Sequence, residues 1–354
     1  MQTVVFLHPS WDASPSGGDK FNRRIIANAR RYRFPLQSVR MEPRVPIGAE
    51  FHPDPMGTQA RRKKVSQRLR LWDSLLMGCY PALERQGGPW RDAFLMHYLP
   101  SMSPGLDARA RSQARILEDR IAAQVSFFVA TGRGLAAVLR ERYPQVASFV
   151  CEPGVDAVFP RVRRKAREGG DAPIHLLSVA HLMAAKGYRD LLSVLQQMKG
   201  RRWHWHIVGS RDADAEFTRE FDRLAARLIG SNRIVFHGSL SPAALARVMV
   251  SMDVFVAASY FESYGMALAE AVAAGLPVVG TRVGEAIRIV GEAEDARLVP
   301  VGDRDAFAAA LMALLDTPGR CSAPCCRRPP VRGWNDAFAD FAAACRAGMH
   351  GLDG

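Results

Sequence analysis

The sequence is short of cysteine and has no long apolar run. Six cysteines among 354 residues are too few for a disulfide scaffold, which excludes the small disulfide-rich secreted folds. No uninterrupted apolar stretch approaches the roughly 18 residues that a membrane-spanning helix needs. The first apolar run, Val4–Leu7, follows no basic segment and is too short for a secretory leader. These absences predict a cytoplasmic protein, and any membrane contact would be peripheral, at the inner face.

Acidic residues are the minority, since 35 Asp and Glu face 48 Lys and Arg, a net charge of +13. The excess is uneven, because residues 1–160 carry 23 basic against 14 acidic residues and residues 171–354 carry 20 of each. A basic first half suits anionic lipid headgroups or a phosphorylated substrate. A solvated loop is the alternative for its densest part, Arg61–Lys64. Neither interleaved aromatic residues nor a helix-turn-helix pattern accompanies the charge, so no nucleic-acid partner is expected.

Short apolar runs alternate with amphipathic stretches, which predicts parallel β-sheets covered by helices on both faces. In the first half, strands are predicted at 3–7, 36–41, 93–98, 125–130 and 147–151, and helices at 20–31, 107–122 and 134–142. In the second half, strands are predicted at 174–179, 204–208, 234–237, 254–258, 277–280 and 296–299, and helices at 188–198, 214–228, 242–251, 265–274 and 303–315. Residues 42–75 and 317–333 match no element.

The alternation breaks once, at a charged, glycine-containing stretch within residues 161–172. The chain is also longer than a single hydrophobic core usually supports. We therefore predict two Rossmann-like domains, at 1–160 and 173–330, joined by a basic linker. A final helical pattern within 331–348 is predicted to cross back to the first domain.

The most informative stretch, Val254–Thr281, has the pattern strand, turn, helix, strand. Glu262 lies in the turn and Glu270 in the helix, so about 12 Å of helix separates the two carboxylates. Carboxylates accept hydrogen bonds from sugar hydroxyls, and helix N-terminal amides suit a phosphate. The pattern predicts a site for a long, polar, phosphorylated ligand. The amides concerned belong to Ser263, Tyr264 and Gly265.

This stretch resembles the E-x7-E motif of the retaining GT-B glycosyltransferases of group 1, or family 4. The family motif opens with an EGFG-like turn, which stands here as Glu262-Ser263-Tyr264-Gly265. The resemblance implies the α/β GT-B fold, with two Rossmann-like domains facing across a cleft. It also implies a nucleotide-diphosphate sugar as donor, an acceptor that the sequence does not name, and no metal or other cofactor. By the same resemblance Glu262 contacts the donor sugar and Glu270 contacts the ribose.

A second motif, SVAHLMAAKG at residues 178–187, ends where a helix begins. Lys186 at that point can reach a diphosphate and neutralise the charge that grows on a leaving group. Without the acid pair, a surface lysine at a helix entry would be the ordinary interpretation. Members of the family usually carry an arginine where this chain has His181, which would supply a hydrogen bond to the donor but no fixed charge.

Three weaker motifs complete the predicted site. Gly17 and Gly18 follow the first strand and precede a helix, where paired glycines let amides approach a phosphate. His97 ends a strand, at the edge where open α/β sheets bind ligands. The resemblance implies contact of the glycines with the donor phosphates and of His97 with the sugar. It implies that His237 and Gly238, after another strand, contact the base. A plain strand–helix turn or a structural histidine is the alternative in each case.

The predicted function is a retaining, metal-independent glycosyltransferase. No general base stands out, which fits the front-face mechanism that the resemblance implies. Asp212 and Asp214 form a D-x-D pattern that could hold Mg²⁺ or Mn²⁺, although an Asp at a helix start usually acts as a cap. A GT-B-like epimerase or phosphorylase, a non-catalytic nucleotide-binding subunit, and a membrane-surface protein that uses the basic half stay open as alternatives.

Overall fold

The computed structural model describes residues 3–10, 16–41, 68–80, 90–162, 172–198, 200–291, 293, 295–316 and 331–350. The chain divides into two units. The first unit takes the residues up to Pro153 and those from Trp334 onward, and the second takes Gly154–Gly333. Each unit has its own six-stranded sheet, and every strand pairing in both sheets is parallel.

The sheet of the first unit has the strand order β2-β1-β3-β4-β5-β6. Its strands are β1 (Val4–Pro9), β2 (Leu36–Met41), β3 (Arg68–Asp73), β4 (Trp90–Met96), β5 (Phe127–Ala130) and β6 (Ala147–Val150). Its first helices are α1 (Gly17–Arg31), α2 (Ala108–Ala122) and α3 (Arg133–Arg142). All residues of β1 and β5 are buried, as expected for the central strands of a sheet that helices cover on both faces.

The sheet of the second unit has the order β12-β11-β10-β7-β8-β9. Its strands are β7 (Ile174–Val179), β8 (Trp203–Val208), β9 (Ile234–Phe236), β10 (Val254–Ala257), β11 (Val278–Thr281) and β12 (Ala296–Val299). Its helices are α4 (Tyr188–Gln197), α5 (Ala215–Leu228), α6 (Pro242–Met249), α7 (Met266–Ala274), α8 (Ala286–Val290) and α9 (Arg304–Leu315).

Two apolar clusters cover this second sheet, one from α4, α5 and α9 and one from α6, α7 and α8. The first includes Leu191, Phe221 and Leu311, and the second includes Met249 and Ile289. Each large apolar side chain buried in this way contributes about 1.5–3 kcal/mol to stability. The α/β architecture with helices on both faces is as the sequence predicts.

The last helix, α10 (Trp334–His350), packs within the first unit. The ring of Phe338 stacks on Tyr32 with 5.5 Å between centroids. The Cys151 thiol donates to the carbonyl of Ala337 at 3.2 Å. Gly348 lies so close to β5 that a β-carbon would come within 2.2 Å of the Phe127 ring. No helix in the described part of the chain is long and apolar enough to cross a membrane.

Strand β3 is the main element that the sequence prediction missed, because it lies in the stretch 42–75 that matched no element. Arg70 in this central strand obscures the apolar pattern. It is satisfied by Asp92 of β4, which accepts from its Nε at 2.7 Å and its Nη2 at 2.6 Å, so the sheet holds a partly buried ion pair. Strand β4 ends at Met96, which leaves His97 in the following loop rather than inside the predicted strand. Helix α8 was also missed, and residues 317–330 lie outside the described residues.

Candidate functional site

The strand order brings the two main motifs together. The chain passes from β7 outward to β8 and β9, and then returns to β10 on the other side of β7. Neighbouring strands whose connections leave in opposite directions open a crevice at their carboxyl ends, where α/β proteins bind ligands. Lys186 follows β7, and Glu262 follows β10. The topology alone therefore puts these two residues at one crevice.

Lys186 and Glu262 form a direct ion pair. The lysine Nζ donates to Glu262 Oε1 at 2.8 Å, and the Ser259 hydroxyl donates to the same oxygen at 2.9 Å. The lysine side chain is 26% exposed and the glutamate side chain 27% exposed. Ser259 is itself held, because the Thr281 hydroxyl donates to its carbonyl at 2.6 Å. The pair is thus fixed from three strands and remains open to a ligand.

Gly187 explains how the lysine is positioned. Its φ is 69°, a left-handed value, and a β-carbon there would lie 1.9 Å from the carbonyl oxygen of Ala258. The loops after β7 and β10 therefore pass each other at backbone contact, which only glycine permits. The amide of Tyr260 donates to the carbonyl of Ala185 at 2.9 Å, and this hydrogen bond stabilises the contact between the same two loops.

Helix α7 begins a few residues after this crossing, and its N-terminus has no side-chain cap. Gly265 is the cap residue, with φ 103° and no side-chain hydrogen bond, and the first turn holds no acidic residue. The preceding Tyr264 is held through its carbonyl, which accepts from the amide of Glu285 at 3.1 Å. Helix N-terminal amides without a side-chain cap are suited to an anion.

Glu270 lies in the middle of α7 and is 5% exposed. Every other residue of this nine-residue helix is apolar. A carboxylate in such a setting costs stability unless it has polar partners, so Glu270 is not the ordinary surface acid that was the alternative interpretation.

His181 is held as a neutral ring. Its Nδ1 accepts the amide proton of Ser210 at 3.0 Å, so the ring proton lies on Nε2. The close approach behind it depends on Gly209, where a β-carbon would lie 2.1 Å from the carbonyl oxygen of Ala180. The position where the resemblance led us to expect arginine therefore carries an N–H donor rather than a fixed charge.

The side chain of His237 belongs to a chain of three histidine rings. His237 Nε2 lies 2.9 Å from His206 Nδ1, and His206 Nε2 lies 3.0 Å from His175 Nδ1. Burial and the neighbouring histidines lower the pKa of His206 to about 4, and burial lowers the pKa of His237. Beside it, the carbonyl of Gly238 accepts from the amide of Gly209 at 2.9 Å. The His237 ring is thus tied into the sheet surface.

The D-x-D pattern has a local structural role. Asp214 accepts the amide proton of Phe217 at 2.9 Å and caps α5, while the amide of Asp212 donates to the Ser210 hydroxyl at 3.0 Å. Across the described ranges, no group of three or more side chains is placed to hold a metal ion.

In the first unit, the structure brings Gly18 and His97 together. A β-carbon on Gly18 would lie 3.3 Å from Cδ2 of the His97 ring. Gly17 and Gly18 are the first two residues of α1, not part of a turn before it, because Ser16 and Asp19 form a capping box that starts the helix at Gly17. The sequence prediction that the helix begins near residue 20 was wrong on this point.

Asp73 and Asn22 also belong to this first-unit cluster, and neither was predicted from the sequence. His97 Nε2 lies 3.2 Å from both Asp73 Oδ2 and Asn22 Oδ1. Asp73 is completely buried at the end of β3. Burial acts to raise the pKa of Asp73, but His97 and the surrounding hydrogen bonds outweigh it and keep the pKa below the ordinary value. The signal available in the sequence was an acidic residue, Asp73, directly after the alternating polar and apolar residues that begin at Arg68.

Residues 173–317 match the sequence model of the family described as glycosyl transferases group 1. The phosphatidyl-myo-inositol mannosyltransferase of Mycolicibacterium smegmatis is 37% identical over 176 residues, which are 48% of this chain and 41% of that protein. The chain thus spans about two fifths of the length of this curated relative.

Two solved structures share the fold. Sucrose-phosphate synthase from Thermosynechococcus elongatus aligns with a TM-score of 0.77 and 18% identity, covering 99% of this chain and 100% of that chain. Anabaena HepE in complex with UDP-glucose aligns with a TM-score of 0.67 and 15% identity, covering 96% and 94%. At these identities the likeness concerns the fold alone. The chain therefore shares the GT-B fold of these structures, and its residues 173–317 match the group 1 glycosyltransferase model.

Proposed function

We propose that the protein is a retaining, metal-independent glycosyltransferase that moves a sugar from a nucleotide-diphosphate sugar to an acceptor. The observation that carries the proposal is the 2.8 Å pair of Lys186 and Glu262 at the crevice of the second sheet. A cation, an acceptor-only carboxylate and the N-terminus of α7 meet the three needs of such a donor. These are charge neutralisation, hydroxyl recognition and amide donors for phosphate.

The donor would exchange partners with the resting ion pair. A diphosphate oxygen near α7 competes with Glu262 for the ammonium of Lys186. Glu262 is then released to accept hydrogen bonds from sugar hydroxyls. Eight positions further on, Glu270 accepts from the ribose. As the bond from the anomeric carbon to the phosphate oxygen breaks, negative charge grows on that oxygen, and Lys186 stabilises it.

Retention follows if the acceptor attacks from the face that the phosphate leaves. The acceptor oxygen forms the new bond to the anomeric carbon, and its proton passes to the departing phosphate oxygen. No separate base is then needed, and Glu262 stays available to the sugar. Lys186 and the α7 N-terminus supply the positive charge that a metal ion would otherwise supply.

For the acceptor, we propose a hydroxyl-bearing compound such as a polyol, a glycan or a glycolipid. Support comes from two relatives, named phosphatidyl-myo-inositol mannosyltransferase and D-inositol 3-phosphate glycosyltransferase. A lipid acceptor would bring the basic first half to an anionic membrane surface. Helix α2 suits such contact, since it exposes Arg109, Arg111 and Arg120 together with Ile116. Aliphatic and cationic side chains on one surface helix favour anionic bilayers.

A transfer assay tests the reaction. The full chain is incubated with UDP-glucose, UDP-N-acetylglucosamine or GDP-mannose and with myo-inositol, inositol phosphate or phosphatidylinositol vesicles. Release of nucleoside diphosphate is followed with and without EDTA. We expect acceptor-dependent release from one donor, unchanged by EDTA, with the anomeric configuration of the donor kept in the product. Binding without turnover would indicate a non-catalytic subunit, and phosphate-dependent release of a sugar phosphate would indicate a phosphorylase.

Vesicle flotation tests the membrane proposal separately. Vesicles with and without anionic lipid are mixed with the wild type, with Arg109→Glu/Arg111→Glu, and with the control Arg219→Glu/Arg223→Glu on α5 of the second unit. We expect flotation that needs anionic lipid, falls in high salt and is lost only in the α2 variant. Equal flotation of all three proteins would contradict a role for α2.

A further inference from the structure

We propose that Asp73 and Asn22 are positioning residues that fix the His97 proton on Nε2, so that Nδ1 accepts a hydrogen bond from a ligand hydroxyl. The inference rests on the proposed function, since it assigns a second ligand-facing group to the same enzyme. It names the chemistry at His97 as recognition of a hydroxyl of a sugar or polyol, rather than of a phosphate.

The topology of the first sheet places the three residues at a point where ligands bind. The chain passes from β1 outward to β2 and returns to β3 on the other side of β1, so β1 and β3 open a crevice at their carboxyl ends. Asn22 lies on α1, which follows β1. Asp73 is the last residue of β3, and His97 follows the neighbouring strand β4.

The hydrogen bonds of Asp73 leave one arrangement of protons. Its Oδ1 accepts the amide proton of Leu75 at 2.7 Å, and its Oδ2 accepts from Asn22 Nδ2 at 2.5 Å. The same Oδ2 lies 3.2 Å from His97 Nε2. The lowered pKa of Asp73 keeps this carboxylate ionised near neutral pH, so it is an acceptor only.

The orientation of the Asn22 amide is set by the same contact. If the amide were turned over, its oxygen would face the Asp73 carboxylate at the 2.5 Å now spanned by Nδ2. Asn22 Oδ1 therefore faces His97 Nε2, at 3.2 Å. Both neighbours of Nε2 are acceptors, so Nε2 must carry the proton, and the neutral ring has its lone pair on Nδ1.

Further contacts fix the ring plane. The backbone amide of His97 donates to the Ser74 hydroxyl at 3.0 Å, and Phe21 meets the ring edge-on at 5.5 Å between centroids. Gly18 lies against the Cδ2, Cγ and Nε2 atoms, which turns Nδ1 to the far side of the ring. In the described part of the chain Nδ1 has no protein partner, and the side chain is 11% exposed.

A fixed lone pair selects its ligand. The neutral Nδ1 accepts from an O–H group, whereas a phosphate oxygen offers another acceptor and is disfavoured. Gly18 then has a role beside any phosphate contact, since it leaves room for the ring in this orientation.

Nitrogen-15 NMR of the histidine side chains tests the inference on the full chain. Protein labelled with ¹⁵N-histidine is compared with His97→Gln to assign the ring, and the two-bond correlations report which nitrogen carries the proton. We expect the neutral form of His97 to carry its proton on Nε2. Asp73→Asn and, as a milder change, Asn22→Ala should move the proton toward Nδ1. The control Glu118→Gln also removes a buried carboxylate, but one that serves Ser101 and Arg142, and should leave His97 unchanged.

A proton on Nδ1 of His97 in the wild type would overturn the inference. The same tautomer of His97 in Asp73→Asn, in Asn22→Ala and in the wild type would also overturn it. This readout needs no turnover, so it stands or falls separately from the transfer assay. In that assay, Asn22→Ala should lower kcat about tenfold, the equivalent of one neutral hydrogen bond, with KM for the donor unchanged. A change in KM alone, with the tautomer kept, would also contradict the positioning role.

Discussion

The two units differ in topology and in the lengths of chain from which they assemble their clusters. In the first sheet the chain crosses back after β2, whereas in the second it crosses back only after β8 and β9. In the second unit, the motifs at 178–187 and 254–281 each supply a loop and the start of the next helix, and the Lys186–Glu262 pair joins them. In the first unit, Asn22 and His97 reach Asp73 across 51 and 24 positions of sequence. Short motifs can be read from sequence, whereas single residues gathered from distant segments become visible only in the fold.

The clusters also differ in charge. The second unit supplies an ammonium group, a helix N-terminus and carboxylates, which suit a diphosphate and hydroxyl groups. The first unit supplies an imidazole ring with a buried carboxylate behind it. In our account the second unit binds and activates the donor, and the first unit orients hydroxyls. The predictions below separate these roles.

The largest effect is expected from Lys186→Ala. Removal of the charge that faces the leaving phosphate should lower kcat/KM about 10²- to 10³-fold, while thermal unfolding stays close to that of the wild type. The matched control is Arg189→Ala, three positions along the chain, whose exposed pair with Glu220 serves no ligand in our account. A less than threefold loss in Lys186→Ala, or an equal loss in both, would remove Lys186 from the site.

Alanine in place of Gly187 in the second unit should lower the unfolding free energy much more than alanine in place of Gly18 in the first unit. Gly187→Ala forces a left-handed alanine and a clash at 1.9 Å with the Ala258 carbonyl, and should cost about 3 kcal/mol of unfolding free energy or more. Gly302 has a φ of 77°, and no atom lies within 4 Å of where a β-carbon would stand. Gly302→Ala should therefore lower the unfolding free energy only by the cost of a left-handed alanine, about 1–2 kcal/mol.

Gly18→Ala in the first unit should change stability by less than about 1 kcal/mol, because gain in helix propensity offsets a mild contact with His97. Urea unfolding of the three variants gives the comparison. Equal values for Gly187→Ala and Gly302→Ala would mean that the two loops of the second unit do not cross as closely as described.

Acid should weaken the second unit through His206. Its folded pKa, lowered to about 4, lies below the unfolded value of about 6.5. The unfolded chain therefore binds the proton more readily, and stability that is present above pH 6.5 is lost as the pH falls toward 4. Partial exposure limits the loss to about 2 kcal/mol.

Unfolding free energies measured from pH 7 to pH 4.5 check this expectation. His206→Gln should flatten the pH dependence. The control His204→Gln on the same strand should change the slope far less, since His204 contributes least to the lowered pKa of His206. An unchanged slope in His206→Gln would show that the ring chain does not govern acid sensitivity.

The smallest effect is expected from Tyr260→Phe. Its hydroxyl donates to Asp190 Oδ2 at 2.5 Å, and Arg304 donates to the other oxygen at 2.6 Å. Loss of the hydroxyl should cost about 1 kcal/mol and leave donor specificity unchanged. Tyr32→Phe in the first unit, where the ring stacks on Phe338, should be neutral. A change of donor sugar in Tyr260→Phe would mean that this residue touches the ligand.

Most of the second unit could be predicted from sequence because its strands are short, mainly apolar runs that alternate regularly with amphipathic stretches. Ile174–Val179 and Ala296–Val299 have the predicted bounds, and Gly275 closes α7 with a left-handed φ of 87°, as a helix stop should. Strand β3 could not be predicted, because Arg70 looks like a surface residue until Asp92 is found beside it on β4.

The parts of the site that escaped prediction depend on partners distant in sequence. Asp73 has no local signature of burial, since the histidine and asparagine that stabilise it come from other segments. The motifs could suggest Lys186 and Glu262 as donor ligands, but not that they would bind each other in the resting protein. Likewise, the ring chain that holds His237 requires the register of β7, β8 and β9.

The claim that the second unit holds the donor is tested most directly by isothermal titration of the full chain with UDP-glucose and GDP-mannose. We predict that one of them binds the wild type, that Glu270→Ala weakens it about tenfold, as expected for loss of one or two ribose hydrogen bonds, and that Glu216→Ala on the exposed face of α5 leaves the affinity unchanged. Wild-type affinity in Glu270→Ala, measured for a ligand that binds, would contradict the account.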